Sequence, residues 1–232
     1  MIRVKICGVM TPADAAFAAA CGADAVGLNF YPKSPRFIDT DRAASIVQQL
    51  PSFVSAVGVF VSEPTQGIRA IADALRLAVI QTYNVPYPEI DSSTVLQIAA
   101  YRVESPDTLA AIAADVQARK ELGRPLAAVL VDAFVPGEVG GTGHRAPWDL
   151  LAGFDPGVAV ILAGGLTPDN VAEAIRTVRP AGVDVASGVE SAPGVKDPGK
   201  VRAFIQAARE AAAGLPEPPS VFRLRAGPRH LE

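Results

Sequence analysis

The chain has 232 residues, half of them apolar, which suits one large α/β domain with a sizeable buried core. Its 21 basic and 24 acidic residues give a formal net charge of −3, without the basic excess that nucleic-acid binding requires. Two cysteines are too few for a disulfide framework, and no apolar run reaches the roughly eighteen residues of a membrane span. We therefore expect a cytoplasmic protein with no nucleic-acid or membrane partner.

Short apolar runs alternate along the chain with amphipathic, Ala-rich segments. From the amino terminus onward, the apolar runs predict strands at residues 2–7, 25–30, 54–61, 78–81, 95–100, 127–132, 158–163 and 183–186. The amphipathic segments predict helices at about residues 12–20, 41–50, 65–75, 105–122, 147–151, 168–178 and 198–212. The first helix has clear start signals, because Thr11 can cap it and Pro12 suits its first turn.

Strands that alternate with helices imply parallel βαβ units, and eight such units fit a (β/α)8 TIM barrel. Many of the runs are apolar at every position, as expected of strands buried on both faces. A doubly wound open sheet is the alternative, but Cys7-Gly8-Val9 lacks the Gly-rich fingerprint expected after its first strand. We predict a single barrel domain over residues 1–213. A flexible Pro- and Arg-rich tail follows over 214–232.

The connection between the fourth and fifth strands is unusually short. Residues 82–94 are too few for a full helix with two loops, and Pro86 and Pro88 oppose regular helix. The fourth helix is therefore predicted to be shortened or absent, with this segment crossing the outside of the barrel as extended chain or a single turn.

Active sites of such barrels lie at the C-terminal ends of the strands. Cys7 ends the first predicted strand, and Lys5 shares its strand parity, so positive charge beside the thiol could favour the thiolate of a base. Asp132 ends the sixth among apolar neighbours, where a raised pKa would suit a general acid. The alternatives are a small buried cysteine and a helix-capping or ion-paired aspartate.

Glycines cluster at three consecutive strand ends, where backbone N–H groups can approach an anion. A single loop of this kind would be an ordinary tight turn, but three together favour a phosphate site. The candidate residues are Gly141 and Gly143 after the sixth strand, Gly164 and Gly165 after the seventh, and Ser187 and Gly188 after the eighth.

Arg36 lies in the loop after the second strand. It is either a solvated surface arginine or a fork for a substrate carboxylate. His144 and His230 are the only histidines, and their spacing does not suit a metal. No metal site is therefore predicted.

Taken together, these stretches resemble the phosphoribosylanthranilate isomerase family. Residues 4–8 are similar to its opening strand with the catalytic cysteine, and residues 22–36 to its second strand and substrate loop. Asp132 falls where the family keeps its catalytic aspartate, and residues 162–171 and 184–197 are similar to the seventh and eighth units. The resemblance spans about residues 2–212. Its most specific element is the cysteine, arginine and aspartate in this order.

The resemblance implies an Amadori rearrangement of N-(5-phosphoribosyl)anthranilate to 1-(2-carboxyphenylamino)-1-deoxyribulose 5-phosphate, a step of tryptophan biosynthesis. It implies Asp132 as general acid at the ring oxygen and Cys7 as base at sugar C2. The glycine loops would hold the phosphate and Arg36 the anthranilate carboxylate. No cofactor or metal is expected, and the protein is expected to be a monomer or a homodimer.

The sequence departs from the family after the fourth strand. The family's Gln-Leu-His-Gly reads Gln81-Thr82-Tyr83-Asn84 here, so Gln81 is kept and Tyr83 replaces the histidine. Both are expected to line the substrate site, but a phenol of ordinary pKa about 10 is poorly matched to acid or base catalysis near neutrality.

Two other functions stay open at this point. One is a catalytically inactive phosphate-binding barrel, which the altered Tyr83 stretch permits. The other is a different phosphate-binding barrel enzyme, such as a thiamine-phosphate synthase-like transferase or an indole-producing lyase. Those enzymes would need diphosphate–metal ligands or a glutamate base, and the sequence shows no such cluster.

Overall fold

Eight parallel strands pair in the order in which they occur in the chain, and the eighth pairs with the first to close a barrel. The computed structural model describes residues 1–83, 95–132 and 148–215. The strands are β1 Arg3–Ile6, β2 Ala25–Asn29, β3 Ser55–Val61, β4 Val79–Tyr83, β5 Leu96–Arg102, β6 Ala128–Asp132, β7 Ala159–Ala163 and β8 Gly182–Val185.

Helices surround this barrel, and local sequence signals explain where several of them begin. They are α1 Pro12–Ala20, α2 Thr40–Val47, α3 Thr65–Leu75, α4 Pro106–Glu121, α5 Trp148–Leu151, α6 Val171–Val178 and α7 Pro198–Ala212. The side chains of Thr11, Ser105 and Asp197 each cap a helix whose first residue is proline. Such a cap satisfies an N–H group that has no partner within the helix.

Side chains divide the apolar core into two layers, because successive residues of a strand point to opposite faces. The outward layer, between strands and helices, contains Val129, Leu162 and Phe204. The inward layer fills the barrel interior and is rich in alanine and branched residues. Its members are Val57, Val79, Ile98, Ala100, Ala128, Leu130, Ala159, Ile161, Ala163 and Ala181.

The predicted (β/α)8 barrel is confirmed, and the alternative open sheet is wrong because β8 pairs with β1. Helix α6 begins at Val171, three residues later than predicted. The backbone N–H of Thr167 donates to Asn170 Oδ1 at 2.8 Å, and Asn170 Nδ2 donates to the Gly165 carbonyl at 3.0 Å. These contacts hold the preceding residues in a turn rather than in the helix.

After β8 the chain forms a short helical turn, which the sequence permits at Gly188, and a hairpin that the sequence did not predict. A 3-10 turn, Ser187–Val189, leads into a small antiparallel hairpin of β9 Glu190–Ala192 and β10 Val195–Lys196. The predicted shortening of the helix between β4 and β5 concerns residues 84–94, which lie outside the described residues. The tail from residue 216 onward also lies outside them.

No helix among the described residues combines the length and apolar character needed to cross a bilayer.

Leu162→Ala should lower the free energy of unfolding by about 2–5 kcal/mol, because it leaves a cavity between β7 and its covering helices. Leu162 is fully buried, whereas Leu122 is 64% exposed and provides a matched control. Leu122→Ala should change stability by less than about 0.5 kcal/mol. Denaturant unfolding of both variants measures the difference, and equal losses would contradict this assignment of the core.

Candidate active site

One cavity of about 490 Å³ opens at the carboxyl ends of the strands. Apart from Val185, its strand-borne lining residues carry the inward parity at those ends, so the same alternation that fills the interior also builds most of the mouth. The cavity is lined by Cys7, Asn29, Arg36, Val59, Val61, Gln81, Tyr83, Arg102, Asp132, Ala163, Gly164, Gly165, Leu166, Asp184, Val185, Ala186 and Ser187. The structure therefore brings together all the predicted site residues that it describes, except Gly188.

A buried ion pair lies beside Cys7. Lys5 Nζ donates to Asp184 Oδ1 at 2.8 Å, and less than a tenth of either side chain is exposed. Closure of the barrel causes this contact, because Lys5 of β1 stands opposite Asp184 of β8 in the strand register. Cys7 is also buried, and its backbone N–H donates to the Val185 carbonyl at 2.8 Å.

Gly27 of β2 makes room for this cluster. A Cβ atom at that position would lie 2.7 Å from Cys7 Sγ and 3.1 Å from Lys5 Nζ. Any larger residue would therefore displace the thiol or the ammonium group. The absence of a side chain at Gly27 thus belongs to the geometry of the site.

Burial raises the pKa of the Cys7 thiol, and the Asp184 carboxylate raises it further. The Lys5 and Lys196 ammonium groups oppose the rise without cancelling it. Burial also disfavours the charged form of Lys5, but Asp184 and Cys7 together hold the pKa of Lys5 above its ordinary value. The positive charge expected beside Cys7 is present, yet the thiol is held protonated at neutral pH.

Arg36 is bound by a glutamate that the sequence analysis did not single out. Arg36 Nε and Nη2 donate to Glu190 Oε1 and Oε2 at 2.8 and 2.6 Å. Lys196 Nζ donates to the same Glu190 Oε1 at 2.8 Å. Burial opposes ionisation of Glu190, but the hydrogen bonds from Arg36 and Lys196 prevail and lower its pKa. Arg36 is thus a partly buried, paired arginine rather than a solvated one.

The glycine turns after β7 and β8 contact one another. Gly164 and Gly165 have φ values of 89° and 62°, in the region that favours glycine. A Cβ at Gly188 would collide with the Leu166 carbonyl, so the second turn packs directly behind the first. Gly188 thus supports the cavity wall rather than lining it. The third predicted loop, with Gly141 and Gly143, lies outside the described residues.

On β4, Gln81 and Tyr83 both face the cavity. Gln81 Nε2 donates to the Tyr83 hydroxyl at 3.2 Å, and within the described part of the chain Gln81 Oε1 is a buried acceptor without a hydrogen-bond partner. Burial raises the pKa of Tyr83 far above its ordinary value, and the negative charges of Asp184, of Cys7 once its thiol has ionised, and of Asp132 add to the rise. The phenol therefore remains protonated across the working pH range.

Asp132 is the last residue of β6 and carries the same inward parity as Ala128 and Leu130 below it. Arg102 stands opposite Asp132 in the register of β5 and β6 and also lines the cavity. The sequence analysis missed Arg102 because its fifth strand ended at residue 100. Inward parity at the strand ends is the signal that would also have identified Asn29.

Within residues 1–83, 95–132 and 148–215, no group of three His, Cys, Asp or Glu side chains is placed to hold a metal ion. The polar groups of the mouth include a thiol, the carboxylates of Asp132 and Asp184, the guanidinium groups of Arg36 and Arg102, and backbone N–H groups. Such a set can move protons and bind anions.

The fold and this mouth define an enzyme of the (β/α)8 barrel class. The sequence model described as N-(5'-phosphoribosyl)anthranilate (PRA) isomerase matches residues 4–207, and the chain belongs to that family. The N-(5'-phosphoribosyl)anthranilate isomerase of Trichlorobacter lovleyi is 45% identical over 213 residues, covering 91% of this chain and 100% of the relative.

Solved structures agree with this assignment. The crystal structure of phosphoribosyl anthranilate isomerase from Thermotoga maritima has a TM-score of 0.81 and 37% identity, covering 90% of this chain and 100% of that one. Another crystal structure shows monomers generated from that enzyme, which is dimeric. A phosphoribosyl anthranilate isomerase in complex with reduced 1-(o-carboxyphenylamino)-1-deoxyribulose 5-phosphate has a TM-score of 0.78 and 35% identity, with coverage of 90% and 100%.

Alkylation of Cys7 by iodoacetamide should be slow at neutral pH and accelerate only above about pH 8.5, the ordinary thiol pKa, because the thiolate is the reactive form. Lys5→Met should shift the acceleration to still higher pH, since it removes the strongest charge that lowers the pKa of Cys7. Mass spectrometry of the Cys7 peptide measures the rate. Lys33 is exposed, so the Lys33→Met variant should show the same pH dependence of alkylation as the wild type. Acceleration of alkylation at a lower pH in Lys5→Met would contradict the argument.

Proposed function

We propose that this chain converts N-(5-phosphoribosyl)anthranilate to 1-(2-carboxyphenylamino)-1-deoxyribulose 5-phosphate, an isomerisation in tryptophan biosynthesis, in the cytoplasm. The observation that carries the proposal is one cavity that contains both the Cys7 thiol and the Asp132 carboxylate, in a member of this isomerase family. Aldose-to-ketose rearrangement needs a proton donor and a proton acceptor at different substrate atoms. These two groups enter the cavity from strands that are not adjacent.

The reaction begins with ring opening, in which Asp132 donates a proton to the furanose oxygen. The bond between that oxygen and C1 breaks, and the anilinic nitrogen lone pair forms a Schiff base with C1. Cys7 then removes the proton from C2, and the electron pair of that C–H bond gives an enolamine. Transfer of the proton held by Cys7 to C1 and of the C2 hydroxyl proton to the Asp132 carboxylate yields the ketose and restores both groups. C1 is reduced while C2 of the same substrate is oxidised, so no external redox partner takes part.

The raised pKa of the Cys7 thiol fits this sequence. A Schiff base carries positive charge when protonated, and a cation bound beside the thiol favours the thiolate. Lys5 supplies a second positive charge at the same place, as its opposing effect on the pKa of Cys7 indicates. We propose that the thiol releases its proton to solvent as the substrate opens, and that Lys5 stabilises the resulting thiolate base.

The two ends of the substrate are assigned to different parts of the mouth. The phosphate is proposed to bind at Gly164, Gly165 and Ser187, with Gly188 supporting that wall and Gly141 and Gly143 contributing from the loop after β6. Arg36 is proposed to bind the anthranilate carboxylate. The relative that binds a reduced carboxyphenylamino ribulose phosphate supports a ligand with these two anionic ends. Holding both ends places C2 and the ring oxygen between base and acid.

Gln81 and Tyr83 are proposed to contact the middle of the substrate. Gln81 Oε1, which has no hydrogen-bond partner among the described residues, is a ready acceptor for a sugar hydroxyl, since a buried acceptor without a hydrogen bond is costly. The Tyr83 ring is proposed to pack against the aromatic ring of the substrate. These contacts add binding energy without taking part in proton transfer.

An inactive binding barrel and a thiamine-phosphate synthase-like transferase are the competing functions. Family membership over residues 4–207 favours the isomerase over the transferase. Retention of both Cys7 and Asp132 in the cavity favours a working enzyme over an inactive barrel. The turnover assay below separates all three.

Of the two oligomeric states, we propose the homodimer. Phe53 is 98% exposed at the rim of an apolar cavity of about 250 Å³ at the opposite end of the barrel. An exposed aromatic side chain beside an apolar cavity is typical of an association surface, and the Thermotoga maritima relative is described as dimeric. Light scattering measures the molar mass in solution and distinguishes the monomer from the homodimer.

Wild-type protein should consume phosphoribosylanthranilate, followed as loss of the substrate's fluorescence. Cys7→Ala and Asp132→Asn should each lower turnover by roughly 10²-fold or more, because a positioned acid or base contributes about that factor. The second cysteine provides the control, and Cys21→Ala should leave the rate nearly unchanged. Full activity of Cys7→Ala would show that the base is another group, and an inactive wild type would end the proposal.

Tyr83→Phe should lower turnover by less than about tenfold, because the raised pKa of the phenol keeps it out of proton transfer and only a hydrogen bond with Gln81 is lost. The same fluorescence assay measures the rate. A loss as large as that of Cys7→Ala would show that the hydroxyl acts on the reacting atoms.

A further inference from the structure

Glu190 forms the centre of a three-residue charged cluster at the edge of the mouth. Its side chain is 4% exposed and accepts hydrogen bonds from Arg36 and Lys196. Only Arg36 of the three lines the cavity. Glu190 and Lys196 stand behind it, so of the three residues only Arg36 can contact a ligand in the cavity.

The charges of the cluster leave a net positive charge. Glu190 alone would neutralise Arg36, and a neutral pair attracts a carboxylate weakly. Lys196 Nζ lies 2.8 Å from Glu190 Oε1 and also donates to the Ala186 carbonyl at 3.2 Å. Two cations and one buried anion therefore give a charge of +1, and the cation open to the cavity is Arg36.

The hydrogen bonds also determine which edge of Arg36 remains available. A guanidinium has five N–H donors, and Glu190 takes one from Nε and one from Nη2. The Nη1–Nη2 edge keeps three donors. That edge has the spacing for a two-pronged contact with a carboxylate.

Packing restricts Arg36 from two further sides. A Cβ at Gly8, whose φ is 68°, would collide with Arg36 Cδ, so the arginine lies directly across the turn that follows Cys7. Gly194, in the hairpin turn, has φ 83°, and a Cβ there would lie 3.1 Å from the Pro35 carbonyl. The hairpin of Glu190 and Lys196 thus packs against the loop that bears Arg36.

We propose that Glu190 and Lys196 are positioning residues for substrate recognition. Glu190 holds one edge of the Arg36 guanidinium so that its Nη1–Nη2 edge faces the cavity, and Lys196 offsets the charge of Glu190. Together they prepare Arg36 to bind the carboxylate of an aryl-amine substrate. This assignment rests on the proposed function, in which Arg36 contacts the anthranilate carboxylate.

Glu190→Gln tests the proposal through the split between KM and kcat. KM for phosphoribosylanthranilate should rise about tenfold, because a charge-assisted contact that orients Arg36 is weakened. Turnover should change less than about threefold, since the reacting atoms are unaffected. Competitive inhibition by inorganic phosphate, which binds the other end, should keep its inhibition constant. Ser191→Ala, an exposed change in the same hairpin, should alter none of these values.

Lys196→Met should also raise KM, since Glu190 then neutralises Arg36. Combining it with Glu190→Gln restores the cluster charge of +1. The KM increase of the double variant should therefore be smaller than the product of the two single-variant increases. A KM increase equal to that product would overturn the charge argument.

A merely structural role for the cluster would lower kcat and weaken phosphate inhibition together with KM, and that pattern would overturn the proposal. An unchanged KM would overturn it too, as would a lower KM, which would show that Glu190 competes with the substrate. If wild-type protein does not turn over the substrate, the proposed function fails instead. A crystal structure of Glu190→Gln then decides the positioning role, because a displaced Arg36 supports it and an unmoved Arg36 refutes it.

Discussion

Pairing of β8 with β1 closes the barrel and sets Lys5 directly opposite Asp184. The resulting ion pair is buried on both sides, so its desolvation cost is offset only by close geometry and further polar contacts. Cys7 is the next inward residue of β1, and its proton affinity depends on that pair. Gly27 leaves space beside the thiol, and Arg36 crosses the turn that follows it. The geometry of the mouth thus depends on one strand contact.

Period-two alternation explains how one set of strands builds both a core and a site. In β6, Ala128 and Leu130 fill the barrel interior, and the next inward residue is Asp132 at the rim. The same holds for β4, where Val79 lies in the interior and Gln81 and Tyr83 lie above it. Groups carried on strands are held more rigidly than groups on loops, which suits proton transfer over short distances. Anion binding is proposed for the backbone N–H groups of the turns and for Arg36.

Local signals made the barrel predictable, since apolar runs, caps and prolines each depend on a few neighbouring residues. Strand parity likewise placed Lys5 near Cys7. The pairing of Arg36 with Glu190 was not predictable this way, because 154 residues separate them and the hairpin of Glu190 has no strong strand signal. The raised pKa of Cys7 was also missed, because it depends on burial and on Asp184 from the far end of the chain.

In the proposed function, Cys7, Asp132, Arg36 and the glycine turns together define a direction for the substrate across the mouth. A crystal structure of this chain with a reduced, non-reacting analogue of the ribulose phosphate product measures that direction. The account predicts the phosphate within hydrogen-bond distance of the backbone N–H groups near Gly165, the carboxylate on Arg36, and the sugar carbons between Cys7 Sγ and the Asp132 carboxylate. An analogue bound with its phosphate on Arg36, or outside this cavity, would contradict the account.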